Sequence, residues 1–185
     1  MSRQRQAQRV FGELSDADPA NVAALNDLAI SRFKLAQMQE SAGQLDAAAE
    51  DYREAVAIHE RLAAQDPTNT AFKEEVASDY GGLGAIEAKR GNRAVALDYL
   101  GRAVSMSRAL EGENPDNVEL RIATALVLIE RGRALVRFND GAAASRDYTE
   151  AIRTLEALQK TGAIEGTDVE TLAAARKELA AVGAR

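Results

Sequence analysis

The glycine cluster in "DYGGLGAIEAKRGN", residues 79–92, is the part of this sequence whose composition could cradle a phosphate group. Gly81, Gly82 and Gly84 lie close together, and the backbone amides of glycine-rich loops often bind anions. A Walker loop, however, needs Gly-Lys-Ser/Thr after its glycines, and a dinucleotide-binding loop needs a preceding strand. Neither feature is present. The sequence therefore predicts no nucleotide site here, and the glycines need another explanation.

His59 is the single histidine and the first residue to consider for general acid–base catalysis. A catalytic histidine requires an orienting partner and a reacting group. The sequence arranges no serine for it, contains no cysteine, and offers no second histidine for a metal site. We therefore expect His59 to have a surface or packing role.

The acidic side chains could in principle form a paired-carboxylate site or bind a metal ion. Most of them are expected to face outward from helices, often near Arg or Lys. They include Glu50, Asp51, Glu54, Glu74, Glu75 and Asp79. The segments "DPAN", "DPTN" and "NPDN" lack the ladder of ligands and the terminal Glu of a calcium loop. The sequence thus predicts no catalytic residue, no cofactor and no metal, and the protein is not expected to be an enzyme.

Composition and charge disfavour several classes of partner. The 185 residues carry a net charge of −6, so a broad basic surface for nucleic acid or for an anionic membrane is not expected. The sequence has no run near the ~20 apolar residues of a membrane span. Its start, "MSRQRQAQRV", lacks the apolar core of a signal peptide. The absence of cysteine suits a cytoplasmic protein.

The chain contains a repeat with a period of 48 residues. Pro19, Pro67 and Pro115 each lie in one of the similar tetrapeptides, and each is 48 residues from the next. A fixed period of this size indicates a repeat array. Small and apolar residues recur at matching positions, as a stack of helical pairs requires. The repeats are 19–66, 67–114 and 115–162, and the recurring columns include Ala48, Ala96 and Ala144, then Tyr52, Leu100 and Tyr148, then Leu62, Leu110 and Leu158.

Each repeat is predicted to be a pair of antiparallel helices. The Asp or Asn before each proline is expected to cap the first helix, with proline in its first turn. Gly43, Gly91 and Asn139 can adopt the left-handed conformation that ends a helix. The first helices are predicted at about 20–42, 68–90 and 116–138, and the second helices at about 45–65, 93–112 and 141–160.

Both ends of the chain are predicted to cap the array. Residues 3–18 align with the second helix of a repeat and are expected to form a partial repeat or an N-terminal cap. The segment 163–185 is expected to carry a capping helix at 168–182, because a solenoid must cover its last repeat. Its apolar stripe consists of Leu172, Ala175, Leu179 and Val182. We predict a single domain over 1–185.

These repeats resemble the tetratricopeptide repeat (TPR). That family places a small residue within the first helix, a glycine at the turn, and Ala-x3-aromatic/Leu-x2-Ala in the second helix. The second repeat matches it with Gly84, Gly91, Ala96, Leu100 and Ala103. The third lacks the turn glycine and has Arg131 where Leu is expected, and the period exceeds the usual ~34 residues. The resemblance implies an all-α, right-handed superhelical solenoid, similar to long-period units common in bacterial multidomain proteins.

The resemblance also implies that the first helices line a concave groove that binds peptides. Phe33 and Ile129 would supply apolar walls, and a floor of small residues would lie between them. A basic end formed by Lys89, Arg133 and Arg137 would then meet an acidic partner, unless the arginines pair with neighbouring carboxylates such as Glu130. The predicted peptide-binding residues are Phe33, Lys34, Gln37, Gly81, Gly82, Ala85, Lys89, Ile129, Arg133 and Arg137.

The sequence therefore favours a non-catalytic scaffold that binds a peptide or protein segment. Such a module is expected within a larger signalling or regulatory protein. Homo-oligomerisation through the end faces of the solenoid, giving a homodimer, and a purely architectural spacer are the alternatives within this class. An enzyme is the alternative from a different class, and it would need a pocket of converging ionisable residues that the sequence does not indicate.

Overall fold

The protein is an array of antiparallel helices, seen in a computed structural model that describes residues 21–183. Seven helices make up this part of the chain, and consecutive helices pack against one another. The predicted all-α class is confirmed. The helices are α1 (Val22–Ser41), α2 (Leu45–Gln65), α3 (Thr70–Lys89), α4 (Arg93–Glu113), α5 (Val118–Arg137), α6 (Gly141–Lys160) and α7 (Thr167–Gly183).

The first helix of each repeat begins at an asparagine that follows the proline. The side-chain oxygens of Asn21, Asn69 and Asn117 accept first-turn backbone N–H groups at 3.0, 3.1 and 3.1 Å. The predicted caps are wrong where the structure describes them, because Asp66 and Asn114 end the preceding helices instead. Each carbonyl of that pair accepts the N–H of the asparagine three residues on, which makes a β-turn with proline at its second position.

The turn inside each repeat ends the first helix in a left-handed residue. Gly43, Gly91 and Asn139 have φ values of 74°, 85° and 61°, as their types predicted. Two hydrogen bonds close each turn. In the first repeat the Gly43 N–H donates to the Glu40 carbonyl at 3.0 Å, and the next N–H donates to the Gln39 carbonyl at 2.8 Å. This is the Schellman pattern, which satisfies carbonyls that a helix end leaves without partners.

The helices α1, α3 and α5 form the inner side of the array. Backbone contacts join α1 to α3 and α3 to α5, whereas the described residues make no such contacts between α2 and α4 or between α4 and α6. The second helices are therefore spread apart and the first helices drawn together. This difference curves the array, with the first helices on its concave side.

Arg131 occupies the position where the resemblance implied leucine, and it is held by a buried carboxylate. Its guanidinium donates through Nε and Nη2 to the two oxygens of Asp147, both at 2.7 Å. Asp147 lies 96 residues after Asp51, at the matching position of the first repeat, where Arg32 donates to Asp51 at 2.7 Å. Asp51 is buried, so its predicted exposure is wrong. The two outer repeats thus share an arginine–aspartate contact between their helices.

The last helix covers one end of the array. Leu172 and Ala175 of α7 are buried in the same apolar cluster as Leu158 of α6, and Leu179 and Val182 pack against that cluster. The four residues of the predicted apolar stripe therefore pack on the array, as expected from the sequence. The predicted partial repeat at 3–18 lies outside the described residues.

Candidate functional site

A cavity of about 890 Å³ lies on the concave side of the array. Side chains of α1, α3 and α5 line it, together with Tyr52 of α2 and with Ser107 and Leu110 of α4. We call this cavity the groove. The floor at the middle of the groove is apolar and has no large side chains, because Gly81, Ala85 and other small residues of α3 face it. The inner position of the first helices thus produces a channel that an elongated ligand could enter.

Eight of the ten predicted peptide-binding residues line the groove. They come from three helices that are far apart in the sequence, so the repeat register placed them together correctly. That they bind a peptide remains a prediction. The eight are Phe33, Gln37, Gly81, Gly82, Ala85, Lys89, Arg133 and Arg137.

Ile129 and Lys34 are not among the groove-lining residues. Ile129 is only 1% exposed and belongs to the apolar cluster that includes Leu172 of α7, so its predicted place in the groove wall is wrong. The reason is that Ile129 lies on the side of α5 that faces the apolar core formed with α6 and α7. Lys34 is exposed but outside the lining. Leu126 and Val127 form the apolar wall that Ile129 was expected to provide.

The three clustered glycines lie within α3 and have different reasons to be there. A Cβ atom on Gly84 would stand 2.6 Å from Cγ of Leu100, which confirms close packing against α4. A Cβ on Gly82 would stand 2.5 Å from Cε1 of Tyr52, so this glycine makes room for a ring from the previous repeat. On Gly81 it would meet only an ordinary contact, at 3.8 Å. Packing therefore explains Gly82 as well, which the family pattern alone did not.

Two of the three predicted cations in the groove are already paired. Nζ of Lys89 donates to Oε1 of Glu40 at 2.6 Å. Arg133 donates to Oε1 of Glu130 at 2.5 Å and to Oε1 of Glu178 at 2.8 Å. The hydrogen bond with Glu178 raises the pKa of the Arg133 guanidinium above its ordinary value. The pairing alternative weighed from the sequence is therefore the one that Arg133 adopts.

The opposite end of the groove is acidic. Glu74 and Glu75 lie near the start of α3, and Glu119 lies in the first turn of α5. Within residues 21–183 none of the three has an ion-pair partner. Sequence reasoning assigned the pair on α3 to a solvated face. The helical period could have found them, because they lie four and three residues before Ser78, which also lines the groove.

A family model named Tetratricopeptide repeat matches residues 22–67 and 76–117. The matched segments cover α1 and α2, and then most of α3 with all of α4, which pack as consecutive helical pairs. The chain is a TPR-like repeat protein. No curated protein matches it. TPR repeats generally mediate protein–protein interaction.

The buried His59–Asp79 pair of this TPR-like chain lies between α2 and α3. Nδ1 of His59 and Oδ2 of Asp79 are 2.6 Å apart, and the two side chains are 0% and 1% exposed. Burial raises the pKa of Asp79 to about 6, while the hydrogen bond from His59 acts in the opposite direction. The packing role expected for His59 is confirmed, and the exposure expected for Asp79 is wrong. Because the pair is sealed from solvent, it does not present a proton to a substrate.

The described part of the TPR-like array presents neither a metal-ligand cluster nor a membrane span. Residues 21–183 contain no group of three or more His, Asp or Glu side chains placed to hold a metal ion. In the same part of the chain no helix is both long and apolar enough to cross a bilayer. Neither finding adds a site to the groove.

Proposed function

We propose that this TPR-like protein is a non-catalytic interaction module that binds a segment of a partner protein in the groove. The observation that supports this proposal is the groove itself. It is an elongated cavity of about 890 Å³ whose lining comes from three successive first helices. The buried core and the paired side chains elsewhere need no ligand, whereas the groove leaves the apolar side chain of Leu126 39% exposed.

The size of the groove suits a short segment. A helix of 20 residues such as α3 is about 30 Å long at ~1.5 Å per residue. An extended chain advances ~3.3 Å per residue, so about nine residues would run the length of the helix. The small residues of the floor would let the bound backbone approach α3 closely, and Phe33, Leu126 and Val127 would contact apolar side chains of the segment.

Selection of peptides from a random display library on the immobilised protein tests this proposal. The strongest peptide would be synthesised with a fluorescent label and its affinity measured by anisotropy for the wild type and for two variants. Ala123→Trp places a large ring in the groove from an exposed position on α5. Ala57→Trp is the matched control, because Ala57 is also exposed but lies on α2 outside the lining.

We expect Ala123→Trp to weaken binding at least about tenfold, since a steric block removes most of the contacts of a groove-bound peptide. Ala57→Trp should leave the affinity within about twofold. Equal binding to both variants would place the peptide elsewhere and contradict the proposal. A selection that enriches no peptide would contradict it as well, and light scattering on the same sample would then test whether the chain associates with itself.

A further inference from the structure

The charged side chains that line the groove differ between its two ends. Most of those without an ion-pair partner among the described residues are negative. The lining contains five glutamates and three cations. Lys89 is paired with Glu40, and Arg133 is paired with Glu130 and with Glu178. The lining side chains without an ion-pair partner among the described residues are Arg137 at one end and Glu74, Glu75 and Glu119 at the other.

The unpaired carboxylates stand where a bound segment would end. They belong to the N-terminal parts of α3 and α5, whereas Lys89 and Arg137 lie in the last turns of those helices. The three glutamates line the same end of the cavity, so a cation bound there would be attracted by their negative charges. An acidic ligand would be repelled by them. The groove therefore favours positive charge at this end.

We propose that the groove recognises a segment with two or three Lys or Arg residues at the end that lies against Glu74, Glu75 and Glu119. This inference rests on the proposed function and names the partner chemistry. The middle of the segment carries small or aliphatic side chains, which fit the floor at Gly81 and Ala85. An acidic side chain or a terminal carboxylate meets Arg137 at the far end. The segment thus has one orientation, because reversing it would set like charges against each other.

This partner is the opposite of the acidic one that the three cations of the sequence suggested. The difference comes from the internal pairs, since Glu40, Glu130 and Glu178 satisfy two of those cations before any ligand arrives. Exposed charges of this kind act mainly on association rate and specificity, and salt weakens them. The contribution of the glutamates should therefore fall as ionic strength rises, while the apolar contribution of the floor remains.

The test uses the same display selection and reads the charge of the enriched peptides. A triple variant, Glu74→Gln with Glu75→Gln and Glu119→Gln, removes three charges with little change of shape. The matched control carries Glu50→Gln, Glu111→Gln and Glu170→Gln, which changes the net charge equally but lies outside the groove lining. Circular dichroism and urea unfolding establish that both variants fold like the wild type.

We expect enriched peptides to carry Lys or Arg clustered at one end, and the groove variant to bind them about tenfold more weakly than the wild type. The control variant should stay within about twofold. Raising NaCl from about 50 to about 500 mM should weaken wild-type binding more than binding by the groove variant.

Enrichment of acidic or neutral peptides would overturn the inference. Equal weakening in both triple variants would overturn it too. In either case the proposed function stands if Ala123→Trp still blocks binding, so the two failures are distinguishable. Peptides that bind Ala123→Trp as well as the wild type would overturn both proposals.

Discussion

At the scale of single residues, close packing explains two of the three clustered glycines of α3. Each glycine costs up to about 1 kcal/mol of helix propensity relative to alanine, so each should be offset by something a side chain would prevent. Gly84 allows Leu100 of α4 to approach, and Gly82 allows the Tyr52 ring to lie over the helix. Gly81 has no such neighbour.

Substitution of these glycines by alanine should therefore change stability in opposite directions. Gly81→Ala should raise the free energy of unfolding by about 0.5 to 1 kcal/mol, because alanine restores helix propensity without a clash. Gly82→Ala should lower it by about 1 to 3 kcal/mol, because the new methyl group overlaps Tyr52. Urea unfolding followed by circular dichroism measures both.

Gly101→Ala is the control for these two variants. It lies inside α4, and a Cβ atom there would meet nothing within 4 Å, so it should stabilise the protein about as much as Gly81→Ala does. A stabilising Gly82→Ala would show that Tyr52 can move aside, and packing would then not explain this glycine.

At the scale of the helices, buried polar contacts join neighbouring elements of an alanine-rich interface. His59 and Asp79 link α2 to α3, across the boundary between two repeats. Each leaves one polar atom without a hydrogen bond in the described structure, namely Nε2 of His59 and Oδ1 of Asp79. Contacts of this kind fix which surfaces meet, but they cost desolvation energy that varies with protonation.

The stability of the α2–α3 contact should therefore depend on pH through Asp79. Its pKa is raised from 3.8 to about 6 in the folded protein, so the folded state holds the proton more tightly than the unfolded chain. This contribution to the free energy of unfolding is complete below about pH 4 and is lost as the pH rises through about 6. Asp79→Asn lacks this titration, and its amide oxygen can still accept a hydrogen bond from His59.

Relative to Asp79→Asn, the wild type should lose on the order of 2 kcal/mol between pH 4 and pH 6.5. Urea unfolding at half-unit pH steps measures the difference. Asp98→Asn, on the exposed side of α4, reports the general effect of removing one carboxylate. A difference between wild type and Asp79→Asn that stays constant over this range would contradict the prediction.

At the scale of the whole molecule, an array of repeats is stable only when its ends are covered. Each repeat buries a face on its neighbour, and α7 provides that cover for α5 and α6. Leu172 is 1% exposed at the centre of this contact. Ile129 of α5 is buried in the same apolar cluster as Leu172 and does not line the groove.

Leu172→Ala should lower the free energy of unfolding by about 2 to 5 kcal/mol, because it leaves a cavity between α7 and the rest of the array. Leu126→Ala is the control, since this leucine is 39% exposed and its loss should change stability by less than about 1 kcal/mol. Both are measured by urea unfolding. Similar losses in the two variants would show that α7 does not act as a structural cap.

Much of the fold could be predicted because its signals are local or periodic. The left-handed turn residues Gly43, Gly91 and Asn139 were read from residue type and spacing, and most helix ends lie within two residues of prediction. The N-caps were missed by three residues. Asp66 and Asn114 precede proline, as an N-cap residue often does, and a β-turn before the helix leaves the same local pattern.

The groove was predicted less completely than the helices. The repeat register showed which helices face inward, and eight of the ten residues predicted from it line the groove. It could not give Glu40 as the partner of Lys89 or Glu178 as the second partner of Arg133, because these glutamates are 49 and 45 residues away in the sequence. The sequence interpretation of a basic end therefore did not include the internal pairing of Lys89 and Arg133 or the three glutamates at the other end.

The sequence by itself determined the helical pairs, their period and the face that each first helix turns inward. These follow from backbone preferences and from apolar periodicity, which act within one repeat and its copies. Only the tertiary structure decided why Gly82 is glycine, where Ile129 and Asp79 are buried, and which groove charges remain free. Those outcomes depend on side chains from different repeats meeting at distances of a few ångströms, which spacing along the chain does not specify.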